Sequence, residues 1–278
     1  MAGEPARVKV ATPSSTGVLL AALVVVGALG VALLVWVPGR SAPRTVGETA
    51  ADGKAQGTAA VQPAIRGNGT IAGEVLFLGN PPTMHPLKLG ADPVCAGGSR
   101  FDEQVIVSNG RLANVFVRLL GAPPEQPPSV PAIVDQRSCV FRPRVQGIIR
   151  GQSVEIRNGD PTLHNAHAYA GGWTLFNYAQ PAGAPPVGRP LTDRSGVLKL
   201  KCDVHPWMTA FIHVVDNSYF AVTGADGSFS IRGLAEGSYE LEAWHERFGV
   251  KRAKVDLREG ETAQTAHLTF SYSPDDRG

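Results

Sequence analysis

The chain has 278 residues, enough for one large domain or two small ones, and its 26 Lys and Arg nearly balance 24 Asp and Glu. That balance leaves no basic footprint for nucleic acid. The 32 Gly and 22 Pro, with short apolar runs rich in Val, Ile, Leu and Phe, favour an all-β protein with many turns.

Residues 1–16 read as a short cytoplasmic tail. Residues 17–37 (GVLLAALVVVGALGVALLVWV) carry no charge. As a helix this run is about 31 Å long, enough to cross a bilayer core. Pro38 stops it, and Trp36 sits where an interfacial aromatic would. The run exceeds the apolar region of a cleaved signal peptide, roughly 7–15 residues. No clean A-x-A site follows it, so an uncleaved single-pass anchor is predicted. Arg7 and Lys9 precede the span and Arg40 and Arg44 follow it, so charge leaves orientation open. The cysteines place the body in the periplasm or another extracytoplasmic space. Residues 38–68 are rich in Pro, Gly, Ala and Thr without apolar periodicity, and read as a flexible linker.

From Thr70 the pattern becomes strand-like. Residues 71–78 (IAGEVLFL) form a predicted strand, followed by strands at 105–107 and 112–119 around the turn Asn109-Gly110. A Pro-rich crossing follows. The block from 129 to 215 has strands near Ile133, then at 139–141, 145–149, 153–157, 166–169, 196–201 and 209–214. Further strands are read at 220–223, 228–231, 239–244, 253–257 and 265–271, with turns at Asp226-Gly227, 233–237 and Glu259-Gly260. Their apolar and polar residues alternate, as in a sandwich with one wet face.

The chemistry concentrates in Cys202-Asp203-Val204-His205-Pro206-Trp207-Met208 and in the upstream Asn158-Gly159-Asp160-Pro161-Thr162-Leu163-His164-Asn165. Two imidazoles, a thiolate and a thioether are the donors a mononuclear electron-transfer copper takes. A lone Cys-x-x-His could equally be a buried thiol beside a surface imidazole. Zinc prefers closed sets without Met. A c-type haem needs Cys-x-x-Cys-His, and a binuclear copper centre needs a second Cys in the loop; neither is present. With Cys202 assigned to metal, Cys95 and Cys139 remain. They form a disulfide in an oxidising compartment or stay as two buried thiols.

Among the other histidines, His167 could face the rim of the site. His213 reads as a core or edge residue. His245, beside Glu246, reads as part of a solvated pair. His85 follows Met84, a pair able to hold copper only transiently. Trp207 is either core packing or an exposed docking surface.

The segments Phe141-Arg142-Pro143, Gly151-Gln152-Ser153-Val154, 158–167 and 202–208 resemble the cupredoxin (blue-copper) family, its amicyanin- and plastocyanin-like members, over about 85 residues. The resemblance implies His164, Cys202 and His205 as equatorial ligands and Met208 as axial ligand of one type 1 copper. It also implies that Asn165 fixes the second loop and that His205 lies nearest the surface as the electron gate. Pro206, lacking an N–H, withholds one donor from the thiolate. The segments 69–75, 113–117, 223–234 and 237–241 resemble the carboxypeptidase regulatory-like (transthyretin-like) β-sandwich. Together these imply an all-β chain in which a cupredoxin Greek-key sandwich (129–215) is inserted in a transthyretin-like sandwich (69–128 and 216–272), with a tandem arrangement as the alternative. No nucleophile–base constellation supports catalysis. The expected function is a membrane-anchored carrier of single electrons between redox protein partners. A copper-binding or envelope protein- or carbohydrate-interaction module is the alternative.

Overall fold

The computed structural model describes residues 66–90, 92–97, 100–192, 196–258 and 265–276. The expected tail, the anchor, the turn Glu259-Gly260 and all of the expected linker but 66–68 lie outside the described residues. Among the described residues every regular element is a strand, and no helix is long and apolar enough to cross a membrane.

The strands make two pairs of sheets. In the first pair, one sheet holds β1 (Arg66–Phe77), β2 (Val107–Ser108), β3 (Arg111–Leu112), β15 (Ser228–Leu234) and β18 (Thr265–Tyr272), ordered β15-β1-β3-β2 with β18 parallel to β1. Its mate is β14-β4-β16-β17, from β4 (Phe116–Leu119), β14 (Phe220–Val222), β16 (Gly237–His245) and β17 (Gly249–Leu257). Ile71, Val75, Leu112, Val117, Leu241 and Phe270 belong to the core built from these strands.

The second pair is built from the chain between β4 and β14. Its first sheet runs β10-β9-β12-β13-β7, from β7 (Val145–Ile149), β9 (His164–Ala170), β10 (Trp173–Gln180), β12 (Gly196–Lys201) and β13 (Thr209–Val215). The other runs β11-β8-β5-β6, from β5 (Ala132–Arg137), β6 (Val140–Arg142), β8 (Ser153–Asn158) and β11 (Val187–Pro190). Val134, Phe141, Ile156, Ala168, Leu200 and Ile212 share a separate core.

Several sequence expectations need correction. Residues 66–68 belong to β1, not to the linker, with Arg66 opposite Leu234. Backbone pairing to β15 needs no apolar side chains. It does need Gly67, where a Cβ would stand 2.6 Å from the Leu234 carbonyl oxygen. The single strand expected at 112–119 is broken. Asn114 takes the left-handed φ of 60°, so β3 and β4 enter different sheets. Thr223 holds that corner: its hydroxyl donates to the Leu112 carbonyl at 2.9 Å and accepts from the Val115 amide at 3.0 Å. The strand expected at 105–107 shortens to β2, and β10 and β11 had no counterpart in the sequence reading.

The expected wet face also fails for the strands where the two sheet pairs meet. Along β13, Ala210, Ile212 and Val214 enter the second core, while Phe211 and Val215 join Phe116 of β4 and Val145 of β7 in a third cluster. Phe220, Val222 and Trp244 pack on that cluster. Period-2 alternation thus serves two apolar layers, because a second sheet replaces solvent on the outer face. His213, on the junction side of β13, stacks on Phe116 with ring centroids 3.9 Å apart and meets Trp244 edge-on at 4.5 Å.

An ion pair crosses the same junction. The Arg144 guanidinium donates to both Glu246 oxygens at 2.5 and 2.9 Å, with both side chains almost wholly buried. Neither Glu246 nor His245 is therefore part of a solvated pair. His245 stacks on Phe248 inside the first core, centroids 4.8 Å apart. Truncating one partner of a buried ion pair strands the other charge. Glu246→Ala is expected to lower unfolding free energy by about 3 kcal/mol in urea titrations. A loss under about 0.5 kcal/mol would show that the pair behaves like a surface one.

Candidate metal centre

Antiparallel pairing brings the expected donors together. β12 ends at Lys201, opposite Thr209 of β13, so 202–208 is the hairpin loop between them. The Met208 amide donates to the His205 carbonyl at 2.9 Å, curling the loop. β9 lies on the other side of β12, with His167 opposite Lys201, which carries His164 and Asn165 to the mouth of that loop. The Asn165 amide then donates to Cys202 Sγ at 3.4 Å, and Asn165 Oδ1 accepts from the Asp203 amide at 2.6 Å. Asn165 therefore ties the two loops.

His164, Cys202 and His205 converge, each with a ligand atom within 4.8 Å of the others. His164 Nδ1 lies 2.9 Å from His205 Nδ1, and Cys202 Sγ lies 3.7 Å from His205 Nδ1. Met208 is fully buried in the same core as Cys202.

Two carboxylates lie behind the imidazoles. His164 Nε2 is 3.0 Å from Asp160 Oδ2, and His205 Nε2 is 3.1 Å from Asp92 Oδ2. The Asp92 carboxyl is lowered to about 2, first by the Thr162 hydroxyl and then by the Val94 amide. For Asp160, burial pushes upward, but the Cys139 amide, His164 and the Ser138 amide together hold the carboxyl below its ordinary value. Ionised carboxylates only accept hydrogen bonds, so each Nε2 carries the proton and donates. In a neutral ring with that tautomer the Nδ1 is the unprotonated nitrogen. Burial also lowers the His164 pKa, against the upward pull of Asp160. The two Nδ1 atoms and the Cys202 sulfur thus face one small buried space, a donor set able to hold a metal ion.

His205 is only 2% exposed, which corrects the expectation of a surface electron gate. A cap formed by the described residues between 85 and 102 covers it. Pro86 bridges Phe101, and the Leu87 amide donates to the Arg100 carbonyl at 2.7 Å. The cap is stapled by the Cys95–Cys139 disulfide, and Cys95 Sγ lies 3.5 Å from His205 Nε2. Trp207 is half-buried and donates its Nε1–H to the Cys139 carbonyl at 2.9 Å, so it packs under the cap rather than standing free. Beside it Lys88, Leu89, Asp92, Val204 and Pro206 line a cleft of about 660 Å³. Replacing both Cys95 and Cys139 by Ser is expected to cost up to about 4 kcal/mol of stability. The cap should then become the first site of limited proteolysis. Unchanged cleavage kinetics would show that hydrogen bonds alone hold it.

His167 faces away from the donors. Its Nδ1 lies 2.9 Å from Asp203 Oδ2 and its Nε2 lies 2.8 Å from the Thr174 hydroxyl. His85 is exposed on the cap, and His213 and His245 sit in the junction and the first core. Sequence reasoning missed Asp92, Asp160 and Asp203 as working residues. Asp160 precedes His164 by four positions, a local signal; Asp92 precedes His205 by 113 and offers none.

No family model matches the chain, and no curated protein does. Among solved structures it is similar to a copper-containing nitrite reductase from Thermus scotoductus SA-01 (23% identity, TM-score 0.28, 36% of this chain and 25% of that one). It is similar to a purple cupredoxin from Nitrosopumilus maritimus (22% identity, TM-score 0.27, 30% of this chain and 99% of that one). It is also similar to amicyanin from Paracoccus versutus (17% identity, TM-score 0.28, 36% of this chain and 97% of that one). The chain thus spans a quarter of the nitrite reductase and nearly all of the two small cupredoxins. At this level of similarity the neighbours carry no argument; the side chains of the site do.

Proposed function

We propose that this chain is a membrane-anchored, extracytoplasmic type 1 copper protein that carries single electrons between protein partners and is not itself an enzyme. One observation carries the proposal: the Nδ1 atoms of His164 and His205 and the Cys202 sulfur face a single buried space. His164, His205 and Cys202 would hold the ion, with Met208 as the weak axial donor. Copper would supply a one-electron couple, Cu(II)/Cu(I).

The chain's own residues supply rigidity. Asn165 ties the two ligand loops, Asp92 and Asp160 hold the imidazoles, and the disulfide holds the cap. A cage fixed this way changes little when its charge changes by one. Every expected donor comes from the protein, which leaves substrate no open position. The disulfide fits an oxidising compartment outside the cytoplasm. Redox proteins would approach over the cleft beside Val204 and Pro206, while the first sheet pair, a transthyretin-like sandwich, serves as the platform that holds the copper sandwich.

The test is to add one equivalent of Cu(II) to the detergent-solubilised full chain and record visible absorption and EPR spectra. An intense thiolate-to-copper band with narrow copper hyperfine splitting, absent in Cys202→Ser, is expected. A pale, ordinary Cu(II) spectrum would remove the proposal.

A further inference from the structure

The carboxylates behind the imidazoles are themselves anchored. Asp92 accepts from the Thr162 hydroxyl at 2.7 Å and the Val94 amide at 2.8 Å. Asp160 accepts from the Ser138 and Cys139 amides, both at 2.7 Å. The anchors lie on opposite sides of the disulfide: Asp92 shares the cap turn with Cys95, and Asp160 grips the amide of Cys139. One covalent bond therefore joins the holders of both rings. Neither carboxylate has an Arg or Lys partner among the salt bridges of the described residues.

We propose that Asp92 and Asp160 are positioning residues that present both Nδ1 atoms to the metal and bias the centre toward its more highly charged oxidation state. This rests on the copper reading above. Each carboxylate acts through one imidazole, fixing the tautomer by accepting the Nε2 proton and making the ligating nitrogen more basic. Each also adds a negative charge beside the Nε2 of its ring, screened less at the buried Asp160 than at the part-exposed Asp92. Both effects favour Cu(II) over Cu(I). Asp92 and Cys95 lie against the Nε2 edge of His205, so partners would reach that ring from the cleft it lines beside Val204 and Pro206.

Asp92→Asn and Asp160→Asn remove the charge while an amide oxygen still accepts from Nε2, at the cost of turning the amide NH2 toward the Val94 or Ser138 N–H. In redox titrations against outer-sphere couples, each variant is expected to shift the Cu(II)/Cu(I) ratio toward Cu(I) by roughly tenfold or more, with the charge-transfer band retained. Thr162→Val, which keeps the Asp92 charge, should shift it far less. In the copper-free wild type, nitrogen-15 NMR of the histidines should find a proton on Nε2 of both His164 and His205. A bare Nε2 on either ring would overturn the proposal whatever the metal does. An unchanged ratio in both Asn variants with an intact band would overturn this proposal alone. Both Nε2 protons present but no charge-transfer band in the wild type would overturn the copper reading and the redox half of the proposal with it.

Discussion

Replacing Gly147 by alanine is expected to destabilise the protein by about 3 kcal/mol and to loosen the contact between its two sheet pairs. A Cβ at Gly147 would stand 2.4 Å from Phe220 Cε2 and 2.6 Å from Phe116 Cε2. Phe116 has no room to withdraw, whereas Phe220 is half-buried. Phe116 is fully buried with His213 stacked on it, and Phe220 packs on Phe116 with centroids 5.4 Å apart. Gly147 lies on β7 opposite His213 of β13, in the middle of the junction. The methyl group would wedge the sheets apart at the point where β4 and β14 meet β7. Urea unfolding monitored by Trp244 fluorescence is the measurement. A loss below about 1 kcal/mol would mean that the rings reorient freely and that the junction is not close-packed.

Acid is expected to weaken the fold steeply through two buried imidazoles. Burial lowers the pKa of both His213 and His245 to about 3, and the Nε2 atom of each lacks a partner in the structure. In the unfolded chain both titrate near 6.5. Between these values the unfolded state binds protons that the folded state refuses. Stability is thus complete above about pH 6.5 and falls as pH drops toward 3, by roughly 1.4 kcal/mol per pH unit for each histidine. His213→Phe preserves the stack on Phe116 and removes the titration. It should roughly halve this slope in urea midpoints measured between pH 6.5 and 4, and His245→Phe with it should remove most of the rest. An unchanged slope in the double variant would trace acid lability to other groups, such as the lowered carboxylates.

Much of the candidate site was legible because its donors are local. Cys202, His205 and Met208 fall in one loop of seven residues, and such a loop between two short apolar strands has few ways to fold. Asn165 follows His164 directly, so their shared position needed only the end of one strand. The β12 bounds were readable to the residue from alternation alone. β10 was not read, although its Phe176 and Tyr178 alternate with exposed neighbours. The break at Asn114 was also missed. A left-handed residue inside an apolar run leaves no mark on hydropathy, and Thr223, 108 positions from Val115, holds the corner.

The amino-acid sequence by itself determined an all-β body, the spacing of a thiol, two imidazoles and a thioether, and which two cysteines remained to pair. These follow from alternation and short-range spacing, which act within a strand or a turn. Only the tertiary structure decided that His205 is covered, that Asp92 and Asp160 lie against the Nε2 of each ring, and that β13 is buried on both faces. Each of those depends on segments that meet by crossing between sheets, such as Cys95 with Cys139 and Phe116 with His213. Contacts between distant segments are set by register and layer packing, and no local pattern encodes which loop closes over which strand.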